Sequence, residues 1–165
     1  MNKGSVVAGI AAGALALAAG VVMKWEGYKA DPYIDAVGVL TVCYGTTTDV
    51  QRRQYSRAEC ESFLARDLEE AREVVHACVK APMLPHQEAA LISFAYNVGP
   101  GHPGVRDGLC WLKSGNQPRI RIKANAGDWV GACAELSNWT RAGGRRLLGL
   151  ERRRADERRL CEGRI

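Results

Sequence analysis

The chain opens with an uncharged apolar run, residues 6 to 23 (VVAGIAAGALALAAGVVM), bounded by Lys3 and Lys24. As a helix it spans roughly 27 Å at ~1.5 Å per residue, just enough for a bilayer core. More than half of it is Ala or Gly, which have little apolar area to bury, so its preference for lipid over water is weak. Beyond Trp25 the pattern changes. A helix end is expected near Gly27, and Asp31-Pro32 reads as the start of a turn. Residues 33 to 46 alternate roughly apolar and polar around Gly38 and Gly45, the pattern of a short hairpin or small sheet. A polar loop follows, from Thr46 to Gln54.

Helical spacing then takes over. Ser56-x-x-Glu59 matches a capping box, and Leu64, Leu68, Ala71, Val75 and Cys78 mark one face of a long helix running to about Lys80. Pro82 and Pro85 end it and start the next, with Pro85 near the first helical position. Gln87 to Val98 is apolar nearly all round, as a buried central helix is, and Gly99-Pro100-Gly101 stops it. Residues 108 to 113 are expected as a short helix and SGNQPRIRIKANAGD as a basic exposed loop. Asp128 is placed to cap a helix through Leu136, Trp139 to Gly144 is a turn, and an Arg-rich helix covers about Leu148 to Cys161. There is no internal repeat, low-complexity tail or flexible linker.

At 165 residues the chain can form one domain with a real core. Its formal charge of +5 suits any polyanion, whether nucleic acid, anionic lipid or the acidic bacterial cell wall, without choosing among them. Arg145, Arg146, Arg152, Arg153, Arg154, Arg158 and Arg159 alternate with Glu151, Asp156, Glu157 and Glu162. That points to a salt-bridged helix surface rather than a nucleic-acid patch, and no aromatic residues interleave for base stacking. The six cysteines (Cys43, Cys60, Cys78, Cys110, Cys133, Cys161) form no CxxC pair, and His76, His86 and His102 are not placed as zinc partners, so no metal site is expected. An even count behind an export-like N-terminus reads as disulfides in an oxidising compartment, with small buried thiols as the alternative.

Three readings of the N-terminal run stay open. It is a cleaved signal peptide, with Lys3 as its basic start and Ala16-Leu17-Ala18 as an A-x-A site. Or it is an uncleaved anchor, apolar enough for export yet too weak to stay in lipid. Or it is a permanent anchor or an internal core helix. Gly9-x-x-x-Gly13 is a weak helix-packing signal in so Ala-rich a run.

The candidate chemistry lies just downstream, in WEGYKADPYIDAVGVLTVCYG. A Glu at a helix end, Glu26, an Asp in a turn, Asp35, and a Thr on a strand, Thr41, can converge on one glycosidic bond. Glycoside hydrolysis needs a protonated carboxyl on one side of the bond and, on the other, a group that directs a nucleophile or becomes one. Glu26, after Trp25 and an apolar helix, is expected in a desolvated setting that favours its protonated form. Asp35, in a polar turn, is the anion that orients a water, with the Thr41 hydroxyl beside it. Spacing alone leaves Asp31 as a competitor and a solvated helix end as the plain alternative.

The string E-G-x7-D-x5-T, with Gly45 near the strand end, resembles the phage-type lysozyme family of muramidases. SFAYNVG (Ser93 to Gly99) is similar to that family's central helix, and GDWVGACAELSNWTRAGGRRLLGLERRRADE to its C-terminal pattern of GAC, W-x-x-AGG, GL and RR-x-x-E. The three motifs lie in the family's order over most of residues 24 to 161. The resemblance implies an α+β, lysozyme-like fold: a small β-containing N-terminal lobe and a mainly helical C-terminal lobe joined by a long helix. It implies cleavage of the β-1,4 bond between N-acetylmuramic acid and N-acetylglucosamine in peptidoglycan. Glu26 is then the general acid, Asp35 and Thr41 position the water, usually with inversion, and Tyr96 and Asn97 line the saccharide cleft. Core packing and a helix C-cap are the competing roles for those last two. Relatives often carry His where this chain has Thr46, which puts local packing or cleft electrostatics in doubt, and the basic loop from Arg119 to Lys123 looks longer than the family's.

With the apolar N-terminus, the chain resembles signal-anchor-release endolysins: residues 1 to 23 as the releasable anchor, residues 24 to 165 as the catalytic domain. That group implies export by the host secretion machinery, an inactive stage on the host inner membrane, and release to the periplasm for host cell lysis. A monomer with no cofactor and no nucleic-acid partner is expected. Some relatives regulate through a Cys inside the anchor; this anchor has none, so regulation is expected to be topological. Cys43 with Cys60, and Cys133 with Cys161, are the expected bridges, while Cys78 and Cys110 stay unassigned. A lytic transglycosylase and an inactive membrane-tethered wall-binding module are the rival readings.

Overall fold

The structure is a computed structural model that describes residues 3–164, with side chains from Gly13 onward. Helix α1 (Lys3–Glu26) leads into strands β1 (Lys29–Ile34) and β2 (Leu40–Cys43). The long α2 (Arg57–Cys78) connects this small lobe to α3 (Pro85–Val98), α4 (Arg119–Asn125) and α5 (Trp129–Glu135). A 3-10 turn (Leu136–Asn138), a two-residue-strand hairpin (β3 Arg141–Ala142, β4 Arg145–Arg146) and α6 (Leu148–Cys161) complete the helical lobe. This is the α+β, lysozyme-like arrangement expected from the sequence.

The core centres on α3, whose Ala89, Ala90, Leu91, Ile92 and Phe94 are buried, with α1, α2 and α6 packed around it. The capping box forms as expected: the Ser56 hydroxyl accepts from the Glu59 amide at 3.2 Å, and Glu59 accepts from the Ser56 amide at 2.8 Å. On α1, Ala14, Ala18 and Val22 are fully buried, a ridge at i, i+4 and i+8 that faces the core. The releasable-anchor and internal-helix readings both require this docking, whereas cleavage after Ala18 removes two of the three residues. Lys3, Gly9 and the rest of the run before Gly13 lie outside the residues whose side chains are described. Among the described residues, no helix is long and apolar enough to cross a membrane.

Three disulfides tie the elements together. Cys43–Cys60 links β2 to α2, and Cys133–Cys161 links α5 to α6, both as expected. Cys78–Cys110, the unassigned pair, fastens the end of α2 to the loop after α3. Such bridges contribute about 2–4 kcal/mol each by restricting the unfolded chain.

Several local expectations are corrected. Asp31-Pro32 does not turn; it lies inside β1, where the pairing with β2 is irregular between Lys29 and Tyr33. Two-stranded sheets have only edges, and an edge tolerates a proline. Residues 108 to 113 form no helix, because Gly108 and Gly101 pack backbone to backbone. A Cβ on Gly101 would come within 2.5 Å of the Gly108 nitrogen. The basic segment is not an open loop but α4, which buries Ile120 and Ala124. The Arg-rich helix is not simply a salt-bridged surface: Arg153, Arg154 and Glu157 are buried in the core.

Candidate active site

Chain segments far apart in sequence meet where α1 ends. The Glu26 side chain, 24% exposed, accepts a hydrogen bond from Arg153 of α6 (Nη1 to Oε1, 2.6 Å). Its other oxygen lies against the turn after β2, where a Cβ on Gly45 would sit 3.2 Å from Oε2. Gly45 also has φ of +89°, so both its conformation and its neighbour call for glycine. Glu26 therefore rests between a guanidinium and a glycine turn, rather than against the apolar wall expected from Trp25. The indole of Trp25 points instead to Asp156, with Nε1 donating at 3.0 Å.

Asp35 occupies the turn between β1 and β2. Its Oδ1 accepts from the amides of Val37 (2.9 Å) and Val39 (2.8 Å), which fixes the carboxylate by its own loop. Its Oδ2 faces the Thr41 hydroxyl at 3.4 Å. Thr41, buried on β2, has a shorter contact at 3.0 Å to the Val39 carbonyl, so its single proton is better used there. Asp35 Oδ2 is thereby left with a long, weak partner and room for an outside donor. Asp31 is exposed on β1.

The structure thus brings Asp35 and Thr41 together directly. Among the described residues, no hydrogen bond joins either to Glu26. A common neighbour links the two halves: Tyr33 pairs with Thr41 across the hairpin. Burial raises the Tyr33 hydroxyl above its ordinary pKa, and the negative charges of Glu26 and Asp35 raise it further. Tyr33 thus lies within the field of both carboxylates.

Tyr96 and Asn97 stand at the end of α3. The Tyr96 hydroxyl donates to the Tyr44 carbonyl at 2.7 Å, next to Gly45, and burial, above all, pushes its pKa well up. Asn97 is exposed, but its Oδ1 accepts from Arg154. Both residues have polar atoms committed to the protein. Thr46, the departure from the family pattern, is buried and donates to Asp67 of α2 at 2.6 Å, so a neutral hydroxyl fastens the turn carrying Gly45 to the long helix.

Beneath Glu26 lies a buried ionic network that the sequence reading missed. Glu157 is fully buried. Its Oε1 accepts from Ser93 Oγ at 2.8 Å and from Arg153 Nε at 3.2 Å, and its Oε2 accepts from Arg154. Arg154 also donates to the Trp139 carbonyl at 3.1 Å and lies over the Phe94 ring. Burial pulls the Arg154 guanidinium below its usual pKa, and Glu157 opposes that shift. The signal was present in RR-x-x-E: Glu157 is four residues after Arg153 and three after Arg154, the spacing of helix-face ion pairs.

Known proteins resemble the chain along most of its length. The phage lysozyme family model matches residues 23–157. The SAR-endolysin of Bacteriophage PS119 is 37% identical, over 96% of this chain and 93% of its own. The crystal structure of the active form of P1 phage endolysin Lyz matches with a TM-score of 0.78 at 24% identity, over 90% of this chain and 85% of that one. The secreted inactive form of the same endolysin matches with a TM-score of 0.52 at 22% identity, over 72% and 76%.

Proposed function

We propose, for a chain that belongs to the phage lysozyme family, that it is an endolysin muramidase hydrolysing the β-1,4 bond between N-acetylmuramic acid and N-acetylglucosamine in peptidoglycan. Glu26 delivers a proton to the glycosidic oxygen. The Asp35 carboxylate, with the Thr41 hydroxyl, orients the water that attacks the opposite face, inverting the anomeric centre. Tyr96 and Asn97 line the saccharide cleft at the end of α3, Asn97 through its exposed side chain and Tyr96 through the turn it braces beside Gly45. The enzyme works as a monomer without a cofactor.

The observation that carries this reading is the Asp35 turn. One carboxylate oxygen is fixed by two backbone amides, while the other is loosely held beside a threonine hydroxyl. A carboxylate so placed is oriented but not used up, as a water-directing base must be. Glu26→Gln removes the transferable proton and keeps the shape. We expect it to slow digestion of purified peptidoglycan by ~10²-fold or more and the parent enzyme to release muropeptides with reducing ends. Digestion by Glu26→Gln at the parent rate, or products with 1,6-anhydro ends, would sink the hydrolase assignment.

The N-terminal helix supplies the regulation. Residues 1 to 23 carry the chain to the host inner membrane and hold it there inactive, and the freed helix then docks on the domain in the periplasm. The burial of Ala14, Ala18 and Val22 against the core supports the docked α1 as the working arrangement. While α1 lies in lipid, Glu26 cannot reach Arg153 or Gly45. Membrane-held protein should therefore digest peptidoglycan far more slowly than the same protein after release, and equal rates would rule the mechanism out.

A further inference from the structure

Among the described residues of α1, Ala14, Ala18 and Val22 are fully buried on the core, with Leu15, Ala19 and Val21 partly buried against it. Such a face gives close approach but few side chains that interlock. After Val22 no residue of α1 is fully buried, so the last turn, which carries Glu26, has no core ridge of its own to fix it. Yet the helix ends on Glu26, so any slip or rotation moves the carboxylate. Polar contacts are the usual means of setting register where apolar packing does not.

Those contacts come from one edge of α6. Arg153 holds Glu26, and one turn on, Asp156 holds the two residues before it. Asp156 Oδ2 accepts from Lys24 Nζ at 2.6 Å and from Trp25 Nε1 at 3.0 Å, while Oδ1 accepts from Arg159 at 2.5 Å. The Asp156 side chain is only 14% exposed, against 61% for Lys24. The exposed Lys24 bridge contributes little on its own; the half-buried indole bond is the directional one. Burial works against the Asp156 charge, but the hydrogen bonds from Lys24 and Arg159 hold its carboxyl below the usual range, so it is an anion at neutral pH.

We infer that Asp156 is a positioning residue for Glu26: by gripping Lys24 and Trp25 it sets the register of α1 in its groove and so places the general acid at the sugar linkage. The inference rests on Glu26 having that role. It makes α6 a two-point clasp, with Arg153 on the acid itself and Asp156 on the turn that carries it. A residue remote from the substrate can matter this much because a misplacement of about 1 Å costs on the order of 10²-fold in rate.

The test is a kinetic comparison of the full-length released protein with its Asp156→Ala and Asp156→Glu variants on soluble, uncrosslinked glycan strands, well below every variant's melting temperature. We expect Asp156→Ala to lower kcat by about tenfold or more with KM within twofold of the parent. Asp156→Glu should recover most of the loss, because it restores the anion. The Trp25 indole N–H resonance should shift in Asp156→Ala and stay near its parent position in Asp156→Glu. Should Asp156→Ala fail to fold, Trp25→Phe removes the indole N–H while leaving Asp156 in place, and it is expected to lose kcat in the same direction. A variant that melts earlier but keeps kcat within twofold overturns the inference, since Asp156 would then only add stability. Glu26→Gln run alongside tells two failures apart. If it is inactive while Asp156→Ala keeps its kcat, the clasp falls alone; if it digests like the parent, the role of Glu26 falls and takes the clasp with it.

Discussion

Glu26 and Asp35 are the two carboxylates of the candidate site, yet the chain holds them by opposite means. Asp35 is fixed by amides two and four residues ahead of it, within one turn. Glu26 is fixed by Arg153, 127 residues away, and Arg153 is itself locked by Glu157 and Ser93 inside the core. The Asp35 half of the site thus forms wherever the hairpin forms. The Glu26 half exists only when α1, α3 and α6 are packed together. For an enzyme proposed to travel inactive and switch on when its first helix docks, that division is useful, because the water-directing half is always ready and the acid half is conditional.

The comparison predicts where damage to the fold should be greatest. Among the described residues, Glu157 is the carboxylate that bridges to both Arg153 and Arg154 in the core. Glu157→Gln leaves the buried Arg154 guanidinium without its counter-charge and Arg153 with Glu26 alone, a change that costs about 3–5 kcal/mol when one partner of a buried pair is removed. Urea unfolding should show a loss of that size, and kcat should fall with it because Arg153 loses the brace that aims it at Glu26. A loss under ~1 kcal/mol would mean that the network behaves like surface ion pairs, and the contrast between the two halves would collapse.

The same division explains what the sequence revealed. Local determinants were legible: the Ser56/Glu59 box, proline at the head of α3, the Asp128 cap accepting from Gly131 at 2.8 Å, and the ends of α6. The spacing of Glu26, Asp35 and Thr41 was legible too, and the Asp35–Thr41 contact follows from a six-residue separation inside a hairpin. Helix α4 was missed because Ile120, Ile122 and Ala124 alternate with Arg121 and Lys123, a strand-like spacing, and only the i, i+4 pair Ile120 and Ala124 is buried. Arg119 and Lys123 on that helix bridge to Glu135 of α5 at 3.1 and 2.6 Å, contacts no local window contains. Arg153 and Arg154 read as surface for the same reason. A charge is buried only when partners from elsewhere meet it, and here those partners are Glu26, Ser93 and Asn97. The expected apolar setting of Glu26 failed at that point, since Trp25 precedes it in sequence but Arg153 meets it in space.

Asp35→Asn gives the smallest effect on the fold and so sharpens the contrast from the other side. An asparagine oxygen can still accept from the Val37 and Val39 amides, so the turn keeps both bonds that shape it. The amide nitrogen then replaces Oδ2 beside Thr41, where it can donate to the hydroxyl oxygen instead of accepting from it. Stability should change by less than ~1 kcal/mol, the scale of one exposed hydrogen bond. Activity should still fall by ~10²-fold or more, because an amide can neither take up a proton nor orient the water as an anion does. Equal falls in stability and activity would show that Asp35 serves the turn, not the water. An unchanged melting temperature with lost turnover would show that this half of the site separates chemistry from folding, which the Glu26 half, tied through Arg153 to the core, does not.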